Sequence, residues 1–178
     1  MIITILSGSN HSGSTTGRLC AWMAGHVESH GHAVHLFDVH ARPLPLYTED
    51  VNEWDDDNVR LLRTWMDEAH AIVLATPEYH GSLSGACKNA IDFLWPQFAG
   101  KPVMSVSIAG GVVGTSSLIH LQTIVRNVHG INSPEWVSLG GAKRELTETG
   151  EPTDAKTAAR VRKACDTLLD LAGRLRAE

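Results

Sequence analysis

Ser7-Gly8-Ser9-Asn10-His11-Ser12-Gly13-Ser14-Thr15-Thr16 packs hydroxyls and glycines into one stretch near the amino terminus. Where such a stretch turns from a strand into a helix, free backbone N–H groups and hydroxyls converge on one spot and cradle a phosphate. The stretch nearly spells a P-loop, because Gly8 and Gly13 bracket four residues and Thr15 follows at the right place. Ser14 stands where the lysine belongs, so a triphosphate lacks its main counter-charge, whereas hydroxyl and backbone donors suffice for a phosphate monoester. The same cluster also suits a plain helix N-cap.

Two further segments offer surfaces for a flat ligand. Thr76-Pro77-Glu78-Tyr79-His80-Gly81 places an aromatic ring and an imidazole in a turn bounded by proline and glycine. Ser107-Ile108-Ala109-Gly110-Gly111-Val112-Val113-Gly114 presents backbone with few side chains, which lets a planar ring approach and supplies N–H donors.

The elements needed to bring these segments together are visible as short β-branched runs separated by stretches of helical period. The expected strands are Ile2 to Leu6, Ala33 to Phe37, Ala71 to Ala75, Pro102 to Ile108 and roughly Ile131 to Ser138. Helices are expected over 15–29, 57–68, Gly81 to Leu94, Gly114 to His129 and Thr153 to Leu175. Asp38 to Asp57, with Pro43, Pro45 and acidic residues near its end, reads as a long irregular crossing. This alternation predicts an α/β fold, a doubly wound five-stranded parallel sheet with helices on both faces. Ligands in such sheets bind beyond the carboxyl ends of the strands where the strand order reverses, which singles out the loops after strands one, three and four.

A chain of 178 residues, 43% hydrophobic and 20% charged, makes one globular domain over 1–178. The formal charge of −5 and the lack of a basic cluster disfavour nucleic acid as a partner. The apolar start at Met1 to Leu6 has no basic residues before it and is too short for a secretory signal. No run approaches the about 20 residues of a membrane span. Cys20, Cys87 and Cys165 are odd in number and show no C-x-x-C spacing, which fits a reducing cytoplasm.

Gly8-Ser9-x-x-x-x-Ser14, Thr76-Pro77-Glu78-Tyr79 and the segment Leu83 to Leu94 with its Lys88-Asn89-x-Ile91-Asp92 together resemble the NADPH-dependent FMN reductase family. The similarity extends through Leu44-Pro45-Leu46-Tyr47, Gly100-Lys101-Pro102-Val103 and Gly110-Gly111-x-x-Gly114, covering about residues 1 to 140. The resemblance implies a flavodoxin-like fold and an FMN-dependent oxidoreductase. NADPH, or NADH, passes a hydride to the flavin, which then reduces a small-molecule acceptor such as a quinone, azo compound, metal oxyanion or free flavin. It also implies that Ser9, Asn10, His11, Ser14, Thr15 and Thr16 surround the phosphate. Pro77, Glu78, Tyr79, His80, Gly81, Gly110 and Gly111 then border the ring, with Glu78, Tyr79 and His80 nearest the chemistry. Family members are homodimers or homotetramers, and Lys88 and Asp92 fall in a helix that contributes to such contacts. Three positions depart from the family: His11 replaces an arginine, so the charge there depends on pH; His80 replaces an asparagine; and Val112 or Val113 replaces a basic residue.

Two readings compete. A non-enzymatic FMN-binding electron carrier shares the fold but tends to be more acidic and to lack the Pro-Glu-Tyr loop. A serine hydrolase of similar form would use Ser9, yet the last histidine is His129, and the carboxyl-terminal helix lacks the base. No metal site is expected: His26 and His30 are spaced i, i+4, but no carboxylate shares that spacing.

Overall fold

The computed structural model describes residues 1–50 and 55–176. Positions 51–54 of the expected crossing lie outside the described residues. Its central strand is β3 (Ala71–Tyr79), whose first seven residues are buried on both faces. Only a near-continuous apolar run such as Ala71-Ile72-Val73-Leu74-Ala75 can be covered by helices from both sides. Next to it lie β1 (Ile2–Ser7), paired in parallel from Ile3↔Ala71 to Ser7↔Ala75, and β5 (Pro102–Ala109), paired in parallel from Ile72↔Val103 to Glu78↔Ala109. The edge strand β2 (Ala33–Asp38) flanks β1 and is mostly half-exposed. On that edge His35 does not turn outward: it shares the sheet face of buried Phe37 and is partly covered, its ring stacked on Trp65 with centroids 4.9 Å apart and its Nε2 3.0 Å from Glu68 Oε2.

At the other edge the expected fifth strand is two pieces, β6 (Ile131–Asn132) and β7 (Val137–Gly140), both parallel to β5. From Val103↔Asn132 to Val106↔Val137 this edge takes five residue steps against three on β5. Pro134 falls in the excess, where the ladder loses nothing to its missing N–H. A two-residue strand, β4 (Ser82–Leu83), runs antiparallel to the end of β3. The sheet therefore keeps five parallel positions in the order β2-β1-β3-β5-β6/β7. The reversal falls between β1 and β3, as expected for a ligand crevice.

Helices α1 (Thr15–Ser29) and α5 (Ala155–Arg176) cover one face, α1 through Leu19, Cys20, Met23 and Val27 and α5 through Val161, Ala164, Cys165 and Leu168. Helices α2 (Asp57–Glu68), α3 (Gly85–Asp92) and α4 (Thr115–Asn127) cover the other, over Leu6, Ile72, Leu74 and Val103. No helix among the described residues is long and apolar enough to cross a membrane.

His70 fastens the start of β1, its Nδ1 accepting the Ile2 N–H at 3.0 Å. Burial, then the charge of Arg176, holds the His70 imidazole below its ordinary value of 6.5. Burial, then the amino terminus, does the same to His32. Because the unfolded chain binds more protons just below 6.5, stability is fully present above that pH. It falls as the pH drops from there through the folded-state values. Denaturant melts between pH 7.5 and 5 are expected to show this decline, with a shallower slope in His70→Gln; an equal slope in both proteins would assign the decline elsewhere.

Candidate active site

Seven residues separate β1 from α1, and they are held from three sides. Gly8 donates its N–H to the Ala75 carbonyl at 2.7 Å, and its own carbonyl accepts the Ser84 hydroxyl at 2.5 Å. A Cβ on Gly8 would sit 2.5 Å from Cys87 Cβ, so only glycine lets α3 close on the turn. The His40 ring donates from Nδ1 to the Asn10 carbonyl at 3.1 Å, and Asp38 Oδ1 accepts the His40 N–H at 2.8 Å. Asp38 is thus a turn brace at the end of β2.

Ser14 is the N-cap of α1, its Oγ accepting the Gly17 N–H at 3.0 Å. That bond satisfies the N3 donor and leaves the Thr15 and Thr16 N–H groups, at N1 and N2, without intrahelical partners. No acidic residue stands in the first turn of α1, whereas α2 is capped by Asp56 and followed by Asp57. The positive end of α1 is therefore uncompensated by its own sequence. Ser9 and Thr16 are buried beside it. An anion held by backbone amides and hydroxyls fits this end.

The segment after Ala75 is strand where a turn was expected. β3 runs on to Tyr79, and α3 begins at Gly85, not Gly81, capped by Ser84 Oγ on the Cys87 N–H at 3.0 Å. Between them Tyr79-His80-Gly81-Ser82 makes a two-residue hairpin, with φ of 52° at His80 and 74° at Gly81. Positive φ at both central residues is tolerated best by Asn-Gly, so asparagine would suit position 80 better than histidine. His80→Asn is expected to stabilise the fold by about 0.5–1 kcal/mol, read from denaturant unfolding; no gain would mean that the imidazole compensates its own strain.

Glu78 reaches across to α4. Its Oε2 accepts the Ser117 N–H at 3.0 Å and the Ser117 hydroxyl at 2.9 Å, supplying the cap that Gly114 cannot. The carboxylate so ties the β3 end to the β5–α4 turn. Gly114 itself has no room for a Cβ, which would lie 2.6 Å from Ser107 Oγ and 2.8 Å from Ala109 Cβ. The turn is closed from the far side by Gly141, whose N–H donates to the Gly111 carbonyl at 2.7 Å.

These loop ends enclose a cleft of about 400 Å³ lined by Ser9, His11, Gly13, Ser14, Thr15, Thr16, Pro77, Glu78, Tyr79, Ile108, Gly110 and Arg144. That volume is in the range of small-molecule sites, about 300–1,000 Å³. Nine of the thirteen residues singled out from the sequence line it. Asn10 instead lines an adjoining cavity with Leu44, Leu46 and Asn89. His80 and Gly81 lie at the exposed hairpin tip, and Gly111 is exposed outside the cleft wall. Cavities of about 490 Å³ beside α5 and about 510 Å³ beside α4 are lined by none of the thirteen.

Sequence reasoning missed Arg144. It ends a 3-10 turn (Gly141–Arg144) directly after β7, and a Cβ on Gly110 would lie 3.8 Å from its Nη1. The adjacent Lys143-Arg144 pair after the outer strand was the available signal. Asn89 also has a structural duty: Oδ1 accepts the Tyr47 N–H and Nδ2 donates to the Pro45 carbonyl, both at 2.8 Å, pinning the crossing to α3. Ser9 has no imidazole partner among the described residues, and the Cys87 thiol is pushed up to about 12 by burial. Neither is an activated nucleophile.

The model of the NADPH-dependent FMN reductase family matches residues 1–144, which span all three loops. The chain belongs to this family. It is 37% identical over 139 residues to an FMN-dependent NADPH-azoreductase of Staphylococcus saprophyticus, covering 75% of this chain and 74% of that protein. Over 158 residues it is 32% identical to an NADPH azoreductase of a Bacillus species, covering 88% and 85%. Among solved structures, the flavoenzyme NAD(P)H:(acceptor) oxidoreductase FerB of Paracoccus denitrificans superposes with a TM-score of 0.79 at 22% identity, covering 97% of each chain. An archaeal flavodoxin superposes at 0.64 with 13% identity over 99% of each chain, so the fold is flavodoxin-like.

Proposed function

We propose that residues 1–178 act as one domain that holds FMN in the 400 Å³ cleft and uses NADPH to reduce a small azo or quinone acceptor. The observation that carries this reading is the convergence on one cleft of the α1 N-terminus, whose first turn holds no acidic residue, and two glycine- or proline-bounded strand ends. Membership of the family makes the chain an NAD(P)H-dependent flavin oxidoreductase. When bound, FMN supplies the hydride-accepting and electron-releasing chemistry. The residues of the chain bind and orient it. Ser9, Ser14 and the N–H groups of Thr15 and Thr16 hold the phosphate, and His11 adds an imidazole at the rim. Pro77 and Gly110 leave space for the ring, while Arg144 offers a guanidinium at the wall. Glu78 is a positioning residue, because both its acceptor contacts go to Ser117 and keep the ring-side turn in place. Half-exposed Tyr79 stands at the mouth, where a nicotinamide and then an acceptor approach.

Azo compounds are the favoured acceptor class because two relatives of substantial coverage bear that name. The reading includes assembly with further copies of the chain in the cytoplasm. Trp95 and Ile119 are 68% and 54% exposed, and Lys88 pairs with Asp92 of its own helix at 2.6 Å. FMN-loaded protein supplied with NADPH is expected to decolourise an azo dye and to exceed equimolar free FMN; NADH is the comparison donor. Flavin reduction without dye turnover would remove the azo acceptor, and light scattering showing a monomer would remove the assembly.

A further inference from the structure

At the far end of α1 the fold supplies a ligand that the local sequence lacks. His26 and His30, one turn apart, meet Asp166 of α5, which is 140 residues from His26 in the chain. His26 Nε2 lies 2.7 Å and His30 Nε2 3.8 Å from the same Asp166 Oδ1. The imidazole centroids are 4.5 Å apart, and one ligand atom from each residue falls within 4.8 Å of the others. A tetrahedral ion with bonds of about 2.0–2.1 Å asks for donors roughly 3.4 Å apart, a difference that small side-chain rotations absorb.

The tautomer of His30 is also set for coordination. Its Nδ1 is 2.8 Å from the His26 carbonyl, which only accepts, so that nitrogen carries the proton and Nε2 keeps its lone pair. A backbone carbonyl behind the ring is the usual second support of a metal-bound histidine. Ser29 Oγ, 3.3 Å from the same Nδ1, adds a further polar neighbour.

We propose that His26, His30 and Asp166 form a binding site for a divalent transition-metal ion of the zinc type, with water completing the coordination. Two imidazoles and one carboxylate favour such an ion over magnesium or calcium, which prefer oxygen ligands. The ion joins the last turn of α1 to the middle of α5. Thr15 lies eleven residues up the helix, about 16 Å away at 1.5 Å per residue. The site is therefore a clip between helices, separate from the cleft and independent of what the cleft binds.

Tag-free, FMN-loaded protein, stripped with chelator and desalted, is titrated calorimetrically with zinc chloride and melted with and without it. The expected result is one equivalent bound per chain and a rise in Tm. His26→Gln, His30→Gln and Asp166→Asn should each weaken binding by about tenfold or more, and Asp166→Asn should abolish the Tm rise. The three side chains are 14%, 46% and 52% exposed, so all three variants are expected to fold. No bound equivalent, or undiminished binding in the His26→Gln/His30→Gln double variant, overturns the site. Undiminished affinity and Tm rise in Asp166→Asn overturns the clip, because the ion then sits on α1 alone.

Discussion

Gly110→Val is expected to give a folded protein that has lost FMN. Gly110 does not sit in the left-handed region, and a Cβ there meets only Arg144 Nη1, at 3.8 Å, so the backbone accepts a side chain. Both Gly110 and Arg144 line the cleft, so the added isopropyl group fills space needed by the ring. A loss of 100-fold or more in affinity, about 2.7 kcal/mol, is expected for FMN and riboflavin alike, with Tm close to the parent's. Gly114→Val is the contrasting variant. Its Cβ would meet Ser107 Oγ at 2.6 Å and Ala109 Cβ at 2.8 Å, so it should destabilise the fold itself. Normal FMN affinity in a folded Gly110→Val protein would take the ring away from this turn.

Thr15→Asp is expected to separate binding from stability. Thr15 opens α1, whose first turn lacks an acidic residue, so a carboxylate there favours the helix by about 0.3–1 kcal/mol. In the proposed site the same charge would face the phosphate. Two like charges about 4 Å apart at an effective dielectric of 20 repel by roughly 4 kcal/mol, nearly a factor of a thousand. FMN affinity should therefore fall by two to three orders of magnitude while riboflavin, which lacks the phosphate, is nearly unchanged. Ser14→Ala is a poorer probe, because Ser14 Oγ also caps Gly17 and its loss costs about 1 kcal/mol of helix stability. Equal losses for both flavins in Thr15→Asp would place the phosphate elsewhere.

The parts of this site legible in the sequence are those governed by local rules. Ile2 to Leu6 and Ala71 to Ala75 are strands because near-continuous apolar runs must be covered on both faces. Ser14 caps because a hydroxyl directly before a helical period can accept a free N–H of the first turn. Pro77 misled for a tertiary reason. β1 stops opposite Ala75 and β4 pairs only from Glu78, so one edge of β3 is open at Thr76 and Pro77 and a proline can continue the strand. The hairpin at His80 then displaces the start of α3 to Gly85. The break between β6 and β7 follows from register against β5, which no local pattern displays. The place of Asp166 beside His26 is hidden for a related reason, since the two meet only through the packing of α1 on α5, whereas Arg144 leaves the Lys143-Arg144 pair as a local trace. Glu78 was read for its place near a ring, while its cap on Ser117 depends on where α4 begins.

Anaerobic rapid mixing of FMN-loaded protein with NADPH, followed by flavin bleaching, reads hydride transfer within the cleft. The proposed FMN cleft predicts bleaching that saturates with NADPH, far outruns that of free FMN, and is lost with the bound flavin in Thr15→Asp. Bleaching of the parent protein no faster than that of free FMN would contradict it and leave an electron carrier in place of a reductase.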